Sequence, residues 1–212
     1  IKDLAGDDNH FAAVIASWRE ALPTAEIVVF DNNSTDGTGA IARAQGVRVV
    51  PVPDQGKGHA VRAIFRELAD RDSVILVDGD GTYPACEAPR LLGPILSDTA
   101  DMVVGARRPV AEAGAMSPVR GLGNVLIRSA FRLLIGRGPG DLLSGYRAFS
   151  RRFVNGTQLR SSGFEIETEL AGEAVARGWR TAEVPVPYLP RIAGTESKLR
   201  AFRDGRRILK TI

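Results

Sequence analysis

Asp78 and Asp80 stand two residues apart at the end of an apolar run, Val74 to Val77, with Gly79 between them and Gly81 after them. On an extended chain, residues i and i+2 project to one face, so the two carboxylates can grip one divalent cation, and the glycines let the backbone turn sharply and admit a phosphate. The same residue types also build ordinary turns. The apolar strand ahead and a helix start behind, at Pro84, favour a ligand site, because open α/β sheets bind ligands at the carboxyl ends of their strands.

Two more loops of this kind precede it. Asp31-Asn32-Asn33-Ser34-Thr35-Asp36-Gly37-Thr38 follows the apolar segment Glu26 to Phe30, and Asp54-Gln55-Gly56-Lys57-Gly58 follows Val47 to Val52. Asp31 and Asn33 are candidates to bond a base or ribose. The backbone at Gly56 and Gly58 can approach a ring without a Cβ in the way, and Lys57 can bind phosphate. Taken singly, the first loop also reads as a turn with a helix cap, and Lys57 as a solvated surface lysine. Neither a GxxxxGK[ST] phosphate loop nor a GxGxxG after the first strand is present, which disfavours a dinucleotide.

The elements that must position these loops follow from periodicity. Phe11 to Leu22 places Phe11, Val14, Ile15, Trp18 and Leu22 on one helical face, and Pro23 stops it. Helices are expected from Thr38 to about Gln45, His59 to Asp70, Cys86 to Ser97, Val119 to Ile135 and Gly163 to Arg177. Further strands are expected at Asp101 to Gly105, Tyr146 to Phe149 and Trp179 to Val184. Strands alternating with helices predict an α/β architecture with a mostly parallel central sheet flanked by helices.

The 212 residues, 44% hydrophobic and 25% charged, suffice for one sizeable core, so the range 1–212 reads as a single domain. A net charge of +3 with 6% aromatic residues, and no basic block interleaved with aromatics, gives no sign of nucleic-acid binding. The lone cysteine, Cys86, excludes an internal disulfide and a cysteine metal cage. With no run of about 18 apolar residues and no signal-peptide pattern, the expected location is cytoplasmic, with contact at the inner face of a membrane open to it. The helix at 119–135 carries Arg120, Arg128 and Arg132, but its apolar residues suit a core face.

In chain order, the segments Asp31 to Thr38, Gln55 to Gly58, Val77 to Gly81, Val103 to Arg107, Asp141 to Phe149 and Gly163 to Glu169 resemble family 2 glycosyltransferases. The likeness is to the dolichyl-phosphate mannose synthase group and its bacterial polyprenyl-phosphate relatives, and it extends from about Ala25 onward. It implies a GT-A (Rossmann-like) fold, a UDP- or GDP-sugar donor, a Mg²⁺ or Mn²⁺ ion and inversion at the anomeric carbon, with a polyprenyl phosphate or a hydroxyl compound open as the acceptor. By the same resemblance Asp31 reads the base, Asp80 ligates the metal, and Asp78 sits on the ribose or in the metal shell. Arg107, Arg191 and Lys198 hold phosphates of donor or acceptor. Thr82 stands where the group often has Gln. The family's opening apolar strand, ending in Pro-x-Tyr-Asn-Glu, is not matched by the start of this sequence, and Asp7 and Asp8 receive no role.

A phosphate acceptor is already an anion and needs no general base; a hydroxyl acceptor needs one within hydrogen-bond reach, for which Glu165, Glu167 and Asp141 are candidates. Glutamates on a helix are otherwise read as a solvated face. Two rival readings use the same residues. In a haloacid-dehalogenase-type phosphatase, Asp78 is nucleophile and Asp80 acid/base, but that motif belongs on a first strand and its second acidic cluster is missing. In a scaffold protein the site binds a nucleotide without turnover.

Overall fold

The computed structural model describes residues 8–109, 127–190, 207, 208 and 211. In chain order these form α1 (Asp8–Ala21), β1 (Val28–Asp31), α2 (Thr38–Ala44), β2 (Arg48–Pro51), α3 (Lys57–Glu67) and β3 (Ser73–Leu76). A 3₁₀ turn (Ala85–Glu87), α4 (Ala88–Leu96) and β4 (Met102–Pro109) follow. Helical residues 127–134 make α5. The described elements close with β5 (Arg147–Ser150), α6 (Arg151–Gly156), α7 (Ile166–Ala176) and β6 (Thr181–Tyr188). The part of the expected 119–135 helix before residue 127 lies outside the described residues.

The α/β expectation holds: β3, β4 and β6 of the larger sheet run the same way, and among its described strands β5 alone is reversed, which makes that sheet mixed. β1 pairs β2 in parallel; in the second sheet, ordered β3-β5-β4-β6, β5 runs antiparallel to both neighbours and β6 parallel to β4. A four-residue strand carries no mark of its direction in its own sequence, because direction depends on which strands flank it. Pro185 and Pro187 extend β6 past its expected end. They are tolerated because β6 lies at an edge, where a missing N–H breaks no ladder bond.

Helices cover both faces of the larger sheet. On one side Phe65, Phe149 and Phe153 join Ile166 and Leu170, with Phe149 and Phe153 stacked at 5.1 Å. On the other, Leu91 and Ile95 of α4 pack on Val103 and Ala148, with Tyr83, Tyr146 and Val186 beside them. Trp18 meets Tyr146 edge-on at 5.8 Å, so it belongs to the core as its helical spacing predicts. α6 has no separate signal in the sequence. It is one short helix, capped by Ser150, whose hydroxyl accepts from the Phe153 N–H at 3.2 Å.

Candidate active site at the carboxyl ends of the strands

β3 ends at Leu76, so Asp78 and Asp80 sit on the turn beyond it, and the two carboxylates have different partners. Gly81 takes φ of 71° there, a left-handed conformation that glycine adopts without penalty. A Cβ at Gly81 would also stand 2.7 Å from Nε2 of His10, which α1 lays against the turn. Asp80 is 6% exposed, and its Oδ1 accepts from the Thr82 hydroxyl at 2.7 Å and the Thr82 N–H at 3.2 Å. Thr82 is therefore the group that steadies Asp80.

Asp78 faces inward. Its Oδ1 lies 2.7 Å from Nζ of Lys57, and the same Nζ lies 2.7 Å from Oε1 of Glu167 on α7. Lys57 is not a solvated surface lysine: its side chain is 10% exposed, and that of Glu167 is 5% exposed. Burial pushes the ammonium toward losing its proton, but Asp78 and Glu167 outweigh burial and the net direction is upward, so Lys57 is held charged. Gly145 closes this cluster, because a Cβ there would collide with Asp78 Oδ2 and crowd Lys57.

The glutamates after Gly163 are not a solvated face either. Glu165 accepts from the N–H groups of Ser162 and Gly163, at 3.3 and 3.0 Å, and Glu169 accepts from Arg160 and Ser161, both at 2.8 Å. These bonds fix the 160–163 segment against the second loop. There the Gly58 N–H donates to the Ser162 carbonyl at 3.1 Å, and a Cβ on Gly56 or Gly58 would run into the Ser162 or Ser161 carbonyl oxygen. The two glycines thus admit a close protein backbone, a contact that their own sequence does not announce.

Arg107 leaves β4 and forks onto Asp141, with Nε to Oδ2 at 2.8 Å and Nη2 to Oδ1 at 2.7 Å, and its own N–H donates to Oδ2 at 3.0 Å. The guanidinium also lies over the Tyr188 ring at 5.5 Å. Burial raises the Asp141 carboxyl, but the Arg107 bonds and charge prevail and hold it below the usual carboxylate range. Tyr83 links the two charge clusters: its hydroxyl accepts from the Gly145 N–H at 3.1 Å, and burial pushes its pKa up to about 12. Arg147 is fully buried and donates to the carbonyls of Ser144, at 3.1 Å, and Leu142, at 2.7 Å, so it shapes the 142–145 loop from below.

On the first loop, Asp31 accepts from the Ser34 N–H at 3.0 Å and packs against Gly39 at the start of α2. Asn33 is exposed and left-handed, with φ of 57°, a conformation Asn tolerates. Asn32, which its sequence context does not single out, is the residue that joins loops. Its Nδ2 donates to the carbonyls of Val52 and Asp54, and its Oδ1 accepts from the Gly56 N–H at 2.7 Å. Alternation along β1 was the available signal, since it turns Asn32 away from Asp31 and toward the loop after β2. The structure therefore brings Asp78, Lys57, Glu167 and Gly145 into one cluster and Arg107 with Asp141 into another. Arg191 and Lys198 lie outside the described residues.

The chain belongs to glycosyl transferase family 2, whose family model matches residues 10–155. It is 41% identical over 194 residues to glycosyltransferase AglJ of Haloferax volcanii, covering 92% of this chain and 63% of that protein. A dolichyl-phosphate hexose transferase of the same organism is 35% identical over 188 residues, covering 89% of this chain and 79% of the relative. Among solved structures, glucosyl-3-phosphoglycerate synthase from Mycobacterium tuberculosis, in complex with Mn²⁺, UDP-glucose and phosphoglyceric acid, superposes with a TM-score of 0.66 at 25% identity, covering 94% of this chain and 73% of that one. The fold is GT-A. The chain spans just under two thirds of the length of AglJ.

Proposed function

We propose that this chain transfers a sugar, with inversion, from a nucleoside-diphosphate sugar to a polyprenyl phosphate, at the turn carrying Asp78 and Asp80. The observation that carries the reading is the buried Asp80, oriented by Thr82, on the same turn as an Asp78 paired with Lys57. Among the described residues no three His, Cys, Asp or Glu side chains converge into a metal cage. A Mg²⁺ or Mn²⁺ site needs only one or two carboxylates, with substrate phosphates and water completing the shell. Asp80 would be the principal ligand and Asp78 a shared one. When bound, the cation would supply positive charge to the departing diphosphate.

The chain's own residues do the rest. Asp31, steadied by the Ser34 N–H, would accept from the base, and Asn32 would keep the loops around the nucleotide in register. Arg107, fixed on Asp141 and Tyr188, would present positive charge to a phosphate, joined by Arg191 and Lys198.

A phosphate acceptor is favoured by the state of the three candidate bases. Asp141 is chelated by Arg107, Glu167 is paired with Lys57, and Glu165 holds two backbone N–H groups. An acceptor that is already an anion needs none of them. The relative named a dolichyl-phosphate hexose transferase supports the same choice. Among the described residues no helix is long and apolar enough to cross a membrane. On α5, however, Leu133 and Leu134 are exposed beside Arg128 and Arg132, a surface suited to anionic lipid headgroups.

Calorimetric titration with UDP- and GDP-sugars, with and without Mn²⁺, tests the reading. Metal-dependent donor binding that disappears in Asp80→Asn, together with sugar transfer to a short polyprenyl phosphate, is expected. Undiminished binding by Asp80→Asn would remove that residue from the metal, and binding without turnover on any acceptor would favour the scaffold.

A further inference from the structure

Residues 140–145 run from one charge cluster to the other, and both ends of the run are fastened. At the far end the Gly145 N–H donates to the Tyr83 hydroxyl at 3.1 Å, beside Asp78 and Lys57, and the Ser144 hydroxyl donates to the Gly105 carbonyl at 2.6 Å. In the middle Arg147 donates to the Leu142 carbonyl at 2.7 Å. At the near end the Asp141 carboxylate carries the Arg107 fork, and the Asp141 main chain is held by Glu183, a residue of neither cluster.

Glu183 stands on β6, an edge strand, with Val104 of β4 as its register partner. Ala182, Val184 and Val186 turn toward the core under α4, so alternation turns Glu183 to the opposite face, where it is exposed. An exposed charge on an edge strand ordinarily serves only to keep that edge from pairing with another chain. Here the side chain is engaged. Its Oε1 accepts from the Gly140 N–H at 2.7 Å and from the Asp141 N–H at 3.0 Å. Bonds of this kind, to an ionised oxygen, are about twice as strong as neutral ones. Gly140 leaves the room for them, because a Cβ there would stand 3.2 Å from Oε2 and 3.4 Å from Oε1 of the same glutamate.

We propose that Glu183 is a positioning residue that aims Arg107 through Asp141. Glu183 fixes the Asp141 main chain; the Asp141 carboxylate then takes two bonds from the guanidinium and a third from the Arg107 N–H. A planar fork points where its carboxylate partner points, so a turn of the Asp141 backbone swings the guanidinium with it. Both ends of this path stand on hydrogen-bonded neighbours, Arg107 on β4 and Glu183 on β6. A group held from two paired strands keeps its direction better than one held from a loop alone. That Arg107 then meets a phosphate rests on the function proposed above; that Glu183 aims it does not.

The test uses chain 1–212 and the variants Glu183→Ala, Glu183→Gln, Gly140→Ala and Arg107→Ala, with melting temperature as the check on each fold. Without any ligand, Glu183→Ala is expected to stay folded, since water can take up the two exposed amides. Hydrogen exchange at the Gly140 and Asp141 amides and at the Arg107 Nε–H is expected to quicken by about tenfold. Gly140→Ala keeps the carboxylate but crowds it, and is expected to quicken exchange at the same three sites. Function is read as KM and kcat with UDP- and GDP-sugars and a short polyprenyl phosphate, and as affinity for inorganic pyrophosphate with Mn²⁺. Whichever constant Arg107→Ala weakens, Glu183→Ala is expected to weaken about tenfold, short of the roughly hundredfold that a 1 Å misplacement can cost. Glu183→Gln is expected to stay within about twofold of the parent, because its amide oxygen keeps two lone pairs for the same donors. In the Arg107→Ala background Glu183→Ala is expected to add nothing. Unchanged exchange at the Arg107 Nε–H in Glu183→Ala overturns the proposal. So does a loss in Glu183→Gln as large as in Glu183→Ala, which marks an effect of charge at a distance, or additive losses in the double variant, which mark a separate route. If Arg107→Ala alters none of the constants, the phosphate role of Arg107 falls, and the ligand-free exchange still decides whether Glu183 aims it.

Discussion

The two sheets hold their loops by different means. The four-stranded sheet has helices on both faces and residues such as Met102, Val103 and Phe149 with no exposure, and behind its loops lie two charge clusters, Lys57 with Asp78 and Glu167, and Arg107 with Asp141. The β1–β2 pair has one ladder and a partly exposed β2; the amide of Asn32 ties its two loops together, and the second of them rests also on Lys57 and on the Gly58–Ser162 bond. The acidic turn proposed to handle phosphates and metal is thus built on the strongly determined side, where a small displacement is costly to catalysis. The loop proposed to read the base stands on the side with fewer constraints.

Breaking the charge cluster should show the largest effect. Lys57→Met leaves two carboxylates facing each other with no cation between them, and removing one partner of a buried pair costs about 3–5 kcal/mol. Denaturant unfolding should show that loss, and transfer activity should fall with it. A loss below about 1 kcal/mol, the range of exposed pairs, would show that water reaches the cluster.

A smaller effect is expected from acid, on the same sheet. Asp141 has a depressed folded value, so its contribution is fully present above the unfolded aspartate value of about 3.9. It is lost as pH falls from there through the folded one. Melting temperature followed from pH 6 downward should therefore drop less steeply in Asp141→Asn than in the parent, and parallel curves would deny Asp141 this role.

The smallest effect should come from the two-stranded side. Asn32→Ala leaves the Gly56 N–H without its acceptor, at a cost of about 1–3 kcal/mol. The comparison sharpens if this variant weakens donor binding by more than its stability loss accounts for, measured as KM against kcat. It breaks if Asn32→Ala destabilises the chain more than Lys57→Met.

Much of this is legible in the sequence. The helical face of α1, the apolar strand ending in Asp78 and Asp80, and the Asn/Asp-rich loop after β1 follow from periodicity and from the conformational habits of Gly, Asn and Asp, all of which act over a few residues. The sequence is silent where a residue's meaning is a distant partner. Lys57, Glu165 and Glu167 look like surface charges in sequence, and Gly56 and Gly58 look like places for a ligand. Each is settled by segments far along the chain, α7 and the 160–163 loop.

Composition, local spacing and the order of motifs determined the α/β class and the family. Tertiary structure alone decided the direction of β5, the pairing of Lys57 with Glu167 and the chelation of Asp141 by Arg107. The reason is physical. Backbone propensities and hydrophobic periodicity are written in neighbouring residues, whereas burial turns a charge from a solvated ornament into a group that must be paired, and only the folded chain says what is buried.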